Sequence, residues 1–84
     1  MSAAYAGDVR LLMEYLAKSL VDAPDQVTVD EEEDDRGTTL ALTVAESDLG
    51  RVIGKSGRTA RCLRVILSAA GMKAGKRYQL EIVE

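Results

Sequence analysis

The sequence predicts an α+β fold: a three-stranded mixed sheet with three helices on one face, in the chain order α-β-β-α-α-β. Three observations predict it. Apolar residues recur at helical spacing from Val9 to Leu20 and again from Ala60 to Ala70. They alternate at strand spacing over residues 26–30, 38–44 and 77–83. The chain has 84 residues, 46% hydrophobic and 30% charged, which suits one small globular domain and is too short for two domains or a large barrel.

Residues 1–7 are small and polar and read as a flexible tail, leaving residues 8–84 as the single domain. Asp8 is placed to cap a helix whose stripe is Val9, Leu12, Met13, Leu16 and Leu20. That helix ends by Ala23, because Pro24 disfavours helical geometry in the residue before it. Val27 and Val29 alternate with Thr28, and Leu40, Leu42 and Val44 alternate with Thr39, Ala41 and Thr43. The acids of residues 30–35 between them, followed by Arg36-Gly37, read as a solvated hairpin end. Leu49, Val52 and Ile53 stand at helical spacing until Gly54-Lys55-Ser56-Gly57 interrupts them. A further helix is expected to bury Ala60, Leu63, Ile66, Leu67 and Ala70 and to stop at Gly71 as its cap, with a loop at residues 72–76. A last strand follows, with Tyr78, Leu80 and Ile82 inward. The second and third strands are joined by a crossover long enough for parallel pairing, and the first two can pair as a hairpin.

Composition excludes several function classes. There is no histidine and one cysteine, so an internal disulfide, a Cys/His zinc site and histidine-dependent catalysis are ruled out. No enzyme, metal or cofactor is expected. Cys62 reads as a small buried or half-buried filler. No apolar run is long enough to cross a membrane, and no signal peptide is evident, so a cytoplasmic location is expected.

Charge is sorted along the chain. The net charge is −3, yet from Leu49 to Arg77 there are eight cations and no acid: Arg51, Lys55, Arg58, Arg61, Arg64, Lys73, Lys76 and Arg77. A charged ligand responds to the local field within about a Debye length, ~8–10 Å, rather than to the sum.

At the centre of that island lies Val52-Ile53-Gly54-Lys55-Ser56-Gly57-Arg58. Two glycines permit positive φ and close approach of a sugar–phosphate backbone. The helix that starts behind them directs unpaired amides and its positive dipole end at the turn. Lys55 and Arg58 add full charges and Ser56 a hydroxyl, while Val52 and Ile53 anchor the turn on the core. The run from Gly50 to Ser56 also has the look of a P-loop, but three residues separate its glycines where that motif needs four.

The signature from Val52 to Arg58, in a helix–turn–helix flanked by strands, resembles that of the KH RNA-binding domain, whose GXXG loop clamps the backbone of about four nucleotides. Together with Leu20-Val21-Asp22-Ala23-Pro24-Asp25-Gln26-Val27, it resembles the small bacterial single-KH proteins of the KhpA (YlqC) family. The resemblance implies a type II KH domain binding single-stranded RNA through Gly54, Lys55, Ser56 and Gly57, with Arg51, Val52, Ile53, Arg58 and Arg61 alongside. Val52, Ile53 and sheet residues near Val44 would underlie the bases; Thr59 stands where an isoleucine is common in the signature. The acid run would occupy the variable loop and grip RNA weakly. Self-association is implied, as is partnership with a larger KH-containing protein (KhpB, also called Jag or EloR). So are RNA-chaperone or post-transcriptional roles touching cell elongation, cell shape and envelope homeostasis. Cys62, Val65 and Ala69 offer a small apolar face for a homodimer. The competing reading is a protein-interaction or dimerisation module whose basic face docks an acidic partner.

Overall fold

Asp8 opens the first helix as its position requires, its carboxylate accepting the Leu11 N–H at 3.0 Å. The computed structural model describes residues 8–84, so the expected tail at residues 1–7 lies outside the described residues. Helix α1 (Val9–Leu20) buries Val9, Met13 and Ala17. Leu20, at the end of the expected stripe, remains exposed because the helix stops there. A 3₁₀ turn at Pro24–Gln26 then delivers the chain to the sheet.

Strand β1 (Thr28–Asp34) pairs antiparallel with β2 (Gly37–Thr43), from Thr28 opposite Thr43 to Asp34 opposite Gly37. Residues 30–34 of the acid run are therefore strand, and of its acids Asp35 alone sits in the hairpin turn. Ladder bonds to β2 outweigh the weak strand propensity of Asp and Glu. The reversal itself is short, held by Arg36 N–H donating to Asp34 Oδ1 at 2.7 Å. Beyond Val29 every residue of β1 is exposed, and charge along an edge strand discourages pairing with another sheet.

Strand β3 (Tyr78–Ile82) pairs parallel with β2, so β2 is central and β1 and β3 are the two edges. The connection carries helix α2 (Leu49–Ile53), preceded by a 3₁₀ turn at Glu46–Asp48, and helix α3 (Arg58–Ala74). One core joins the layers: Val9, Met13 and Ala17 from α1, Val52 from α2, Leu63 and Leu67 from α3, and Val29, Leu40, Leu42 and Leu80 from the sheet. The α+β order expected from the sequence is the order observed.

Helix α3 departs from expectation at its end and on one flank. It runs through Gly71 to Ala74, and its left-handed C-terminal residue is Gly75. Its buried line is Ala60, Leu63, Leu67 and Gly71. Ile66 is left 39% exposed, and Cys62 is exposed rather than a filler. Because the buried residues repeat at i, i+3, i+7 and i+11, both positions are turned off the core face.

Candidate nucleic-acid interface

Val52 is wholly buried in the core, so it anchors the loop and offers no surface to a ligand. Burial of such a side chain contributes about 1.5–3 kcal/mol. One residue later the chain is half exposed, and at Gly54 it turns to φ 77°, ψ 169°, a region open essentially to glycine alone. A Cβ at Gly54 would lie 2.3 Å from the Thr59 hydroxyl oxygen and 2.8 Å from the Thr59 amide nitrogen. Space beside this glycine is thus taken by the protein's own Thr59. Gly57, at φ 75°, has nothing within 4 Å of its would-be Cβ. Of the two glycines expected to admit a backbone, Gly57 faces open space.

Ser56 adopts φ 56°, ψ 25°, the one positive φ outside glycine among the described residues. Such a conformation costs about 1–2 kcal/mol for an L-residue. It is held from both sides: Gly57 N–H donates to the Gly54 carbonyl at 3.1 Å, and Arg61 Nη2 donates to the Ser56 carbonyl at 3.1 Å. Arg58 N–H donates to the Lys55 carbonyl, so the Gly57 and Arg58 amides are drawn into the 3₁₀ turn ahead of α3. The Lys55 and Ser56 amides have no protein acceptor among the described residues, and successive turn amides of this kind form a concavity suited to an anion. The available donors lie one step earlier than the helix start expected from the sequence.

A groove of about 380 Å³ opens beside the loop. Its floor is Ile53, Ala60 and Ile82, with Ser56 and Gly57 at one end and Arg61 and Arg64 along a wall. Glu84 also lines it. Ile53 is the loop-flanking aliphatic that reaches the surface, and the sheet contribution is Ile82. Val44 packs against the core instead. Ile82, Ala60 and Arg64 were not singled out from the sequence as ligand-facing, although all carry the spacing of their elements; only the parallel pairing of β3 brings Ile82 to the loop.

Arg51 lies apart from that group in its bonding. Its guanidinium reaches Asp22 at 3.0 Å and Asp48 at 3.6 Å. Asp48 is 2% exposed and accepts the Asp22 and Ala23 amides at 3.1 and 3.0 Å. This buried carboxylate ties the start of α2 to the segment before β1, a role not singled out from the sequence. Arg51 completes that tie. The other seven cations of residues 49–77 are exposed, and none pairs with a carboxylate among the described residues.

Residues 10–82 match the family model for the KhpA/KhpB KH domain. An RNA-binding protein KhpA from Clostridium acetobutylicum is 45% identical over 75 residues, covering 89% of this chain and the whole of that protein. The protein of the same name from Aquifex aeolicus is 51% identical over 73 residues, 87% of this chain and 92% of the relative. That from Borreliella burgdorferi is 41% identical over 80 residues, 95% and 96% of the two chains.

Proposed function

This chain belongs to the KhpA/KhpB family of KH domains, and on that premise we propose that it is a non-catalytic protein holding single-stranded RNA by its backbone. The Gly54-Lys55-Ser56-Gly57 loop is the grip in this reading. The observation that carries it is the convergence of two unpartnered amides, the open flank of Gly57 and the unpaired cations Lys55 and Arg58 on one rigid corner. A phosphate accepts from the Lys55 and Ser56 amides while the next sugar passes Gly57. Bases lie over Ile53, Ala60 and Ile82, with Arg64 beside them. Arg61 acts through Ser56, whose strained backbone it braces, and Arg51 acts through the Asp22–Asp48 tie.

An aliphatic floor with few fixed hydrogen-bonding groups gives loose base preference, which suits an RNA chaperone or post-transcriptional regulator acting in the cytoplasm. Among the described residues no helix is long and apolar enough to cross a membrane. One groove of this size binds weakly, so a second copy raises effective concentration. Exposed Cys62, Val65, Ala69 and Met72 run along the outer face of α3 and support a homodimer, or pairing with a larger KH-containing partner of the KhpB type. Roles in cell elongation and envelope homeostasis belong to the same proposal.

Fluorescence-anisotropy titration of a short single-stranded RNA across a salt series tests the reading. Neutralising about three or four phosphates gives a slope of log K against log salt of roughly −2 to −3. A slope near zero, or no binding of RNA at low salt, favours the protein-docking alternative.

A further inference from the structure

We propose that the RNA track continues past the loop groove along the seam between α3 and β3, to a second basic station formed by Lys76 and Arg77 with the Tyr78 ring as a stacking surface. The inference rests on the RNA-binding reading above. Three depressions follow that seam and share walls. The first is the groove beside the loop, bounded by Arg64. The second, about 320 Å³, lies between Arg64, Ser68, Tyr78 and Gln79 over Leu67 and Leu80. The third, about 260 Å³, is lined by Ser68, Met72, Lys76, Arg77 and Tyr78. Arg64 belongs to the first two, and Ser68 and Tyr78 to the last two, so the depressions join into one trough.

Length and charge both suit a continuing strand. The 17 residues of α3 span about 25 Å, so the seam offers a strand leaving the loop a path along the whole helix. No Asp or Glu lines the second or third depression. Strand β3 is a sheet edge, so its outer main-chain groups are open to base edges along the way. The tyrosine is firmly seated: a Cβ at Gly71 would come within 2.8 Å of both Tyr78 Cδ2 and the Lys76 carbonyl oxygen. Glycine at 71 is what allows the ring and the Lys76 main chain to lie against the helix. A half-buried tyrosine held this way is the one aromatic surface in the trough, and stacking on it tolerates any base.

The dimer face proposed above lies on the outer side of α3 and shares Met72 with the third depression. Longer RNA could also bridge two copies, and the experiment separates that case. Anisotropy titrations compare oligouridylates of about four and about ten nucleotides on the full chain and on the Lys76→Ala/Arg77→Ala variant. Both side chains are exposed and form no ion pair with a carboxylate among the described residues. The Arg77 carbonyl that accepts Thr38 N–H at 2.8 Å is untouched by the change, so the fold is kept, as circular dichroism will verify. The variant is expected to bind the longer RNA about five- to tenfold more weakly and the shorter one unchanged. Its salt slope on the longer RNA is expected to be shallower by about 1.4, for two phosphates at ~0.7 each. Equal affinity of variant and native chain for the longer RNA overturns the inference. So does an equal loss on both lengths, which marks a general field effect, or a stoichiometry of two chains per longer RNA. Failure of the native chain to bind either length at low salt overturns the RNA-binding reading beneath it.

Discussion

Strands β1 and β3 flank the same central strand, yet one edge carries Asp30, Glu31, Glu32, Glu33 and Asp34 while the other adjoins a helix bearing Arg61 and Arg64. The acidic edge buries nothing beyond Val29, whereas the β3 edge tucks Leu80 and Ile82 beneath α3. Strands lie about 4.8 Å apart, so roughly 10 Å separates the two edges. That is about one Debye length at physiological salt, ~8 Å, enough to screen much of the field of the β1 acids from a phosphate resting beside α3. A net charge of −3 therefore says little about partners here. What matters is that β2 stands between the acidic strand and the arginines of α3, leaving Glu81 and Glu84 as the acids on the basic side.

Reversing charge at the loop is the harshest challenge to this division. Lys55→Asp/Ser56→Asp is expected to weaken RNA binding about a hundredfold or more, since each lost hydrogen bond to a charged group is worth about 1.5–3 kcal/mol. The fold should survive, because both side chains are exposed and Asp tolerates the left-handed conformation of residue 56. Anisotropy beside a urea melt distinguishes the two effects, and undiminished affinity in a folded variant would exclude the loop as the grip.

Asp48 is the acid closest in sequence to the basic side, and the division predicts that its work is structural. Asp48→Ala leaves the Asp22 and Ala23 amides without their carboxylate and Arg51 with a single partner. A loss of about 1–3 kcal/mol in a urea melt is expected, with RNA affinity retained at temperatures where the variant is folded. A variant of native stability but altered RNA affinity would move Asp48 into the binding machinery.

Two smaller effects probe the acids directly. Glu84 lines the groove, where a carboxylate a few ångströms from a phosphate opposes it by up to about 1 kcal/mol in a watery setting. Glu84→Gln should tighten binding by up to about fivefold, and weaker binding would show instead that the carboxylate accepts from a base. Glu31→Lys/Glu33→Lys lies on the far edge and should alter affinity by less than about twofold at ~0.15 M salt. The effect should grow as the Debye length reaches ~30 Å at ~0.01 M. A large effect at high salt would place the RNA across the sheet rather than beside α3.

Much of this was legible in the chain. The Val9, Met13 periodicity, the Leu40, Leu42 alternation and the Leu63, Leu67 spacing each named an element and its inward face, and the structure bears them out. Gly54 and Gly57 announced positive φ, which both adopt. The misreadings have a common cause. The acids of residues 30–34 have poor strand propensity, and only the ladder to β2 makes them a strand. Gly71 has the look of a helix end, but its missing side chain serves Tyr78, seven residues on. The partition of roles among Val52, Ile53, Arg51 and Arg61 depends on which neighbours fold back upon them, and spacing carries no record of that.

By itself the sequence determined the order of elements, the pairing of glycines around Lys55 and Ser56, and the gathering of cations after Leu49, because periodicity, positive φ and charge are local properties of a chain. Tertiary structure alone decided that Ile82 lines the groove, that Thr59 fills the space beside Gly54, that Asp48 is buried, and that the acid run of β1 lies across β2 from the edge beside α3. Those outcomes are set by strand order and by contacts between residues distant in sequence, which are chosen only when the sheet and its helices close on one core.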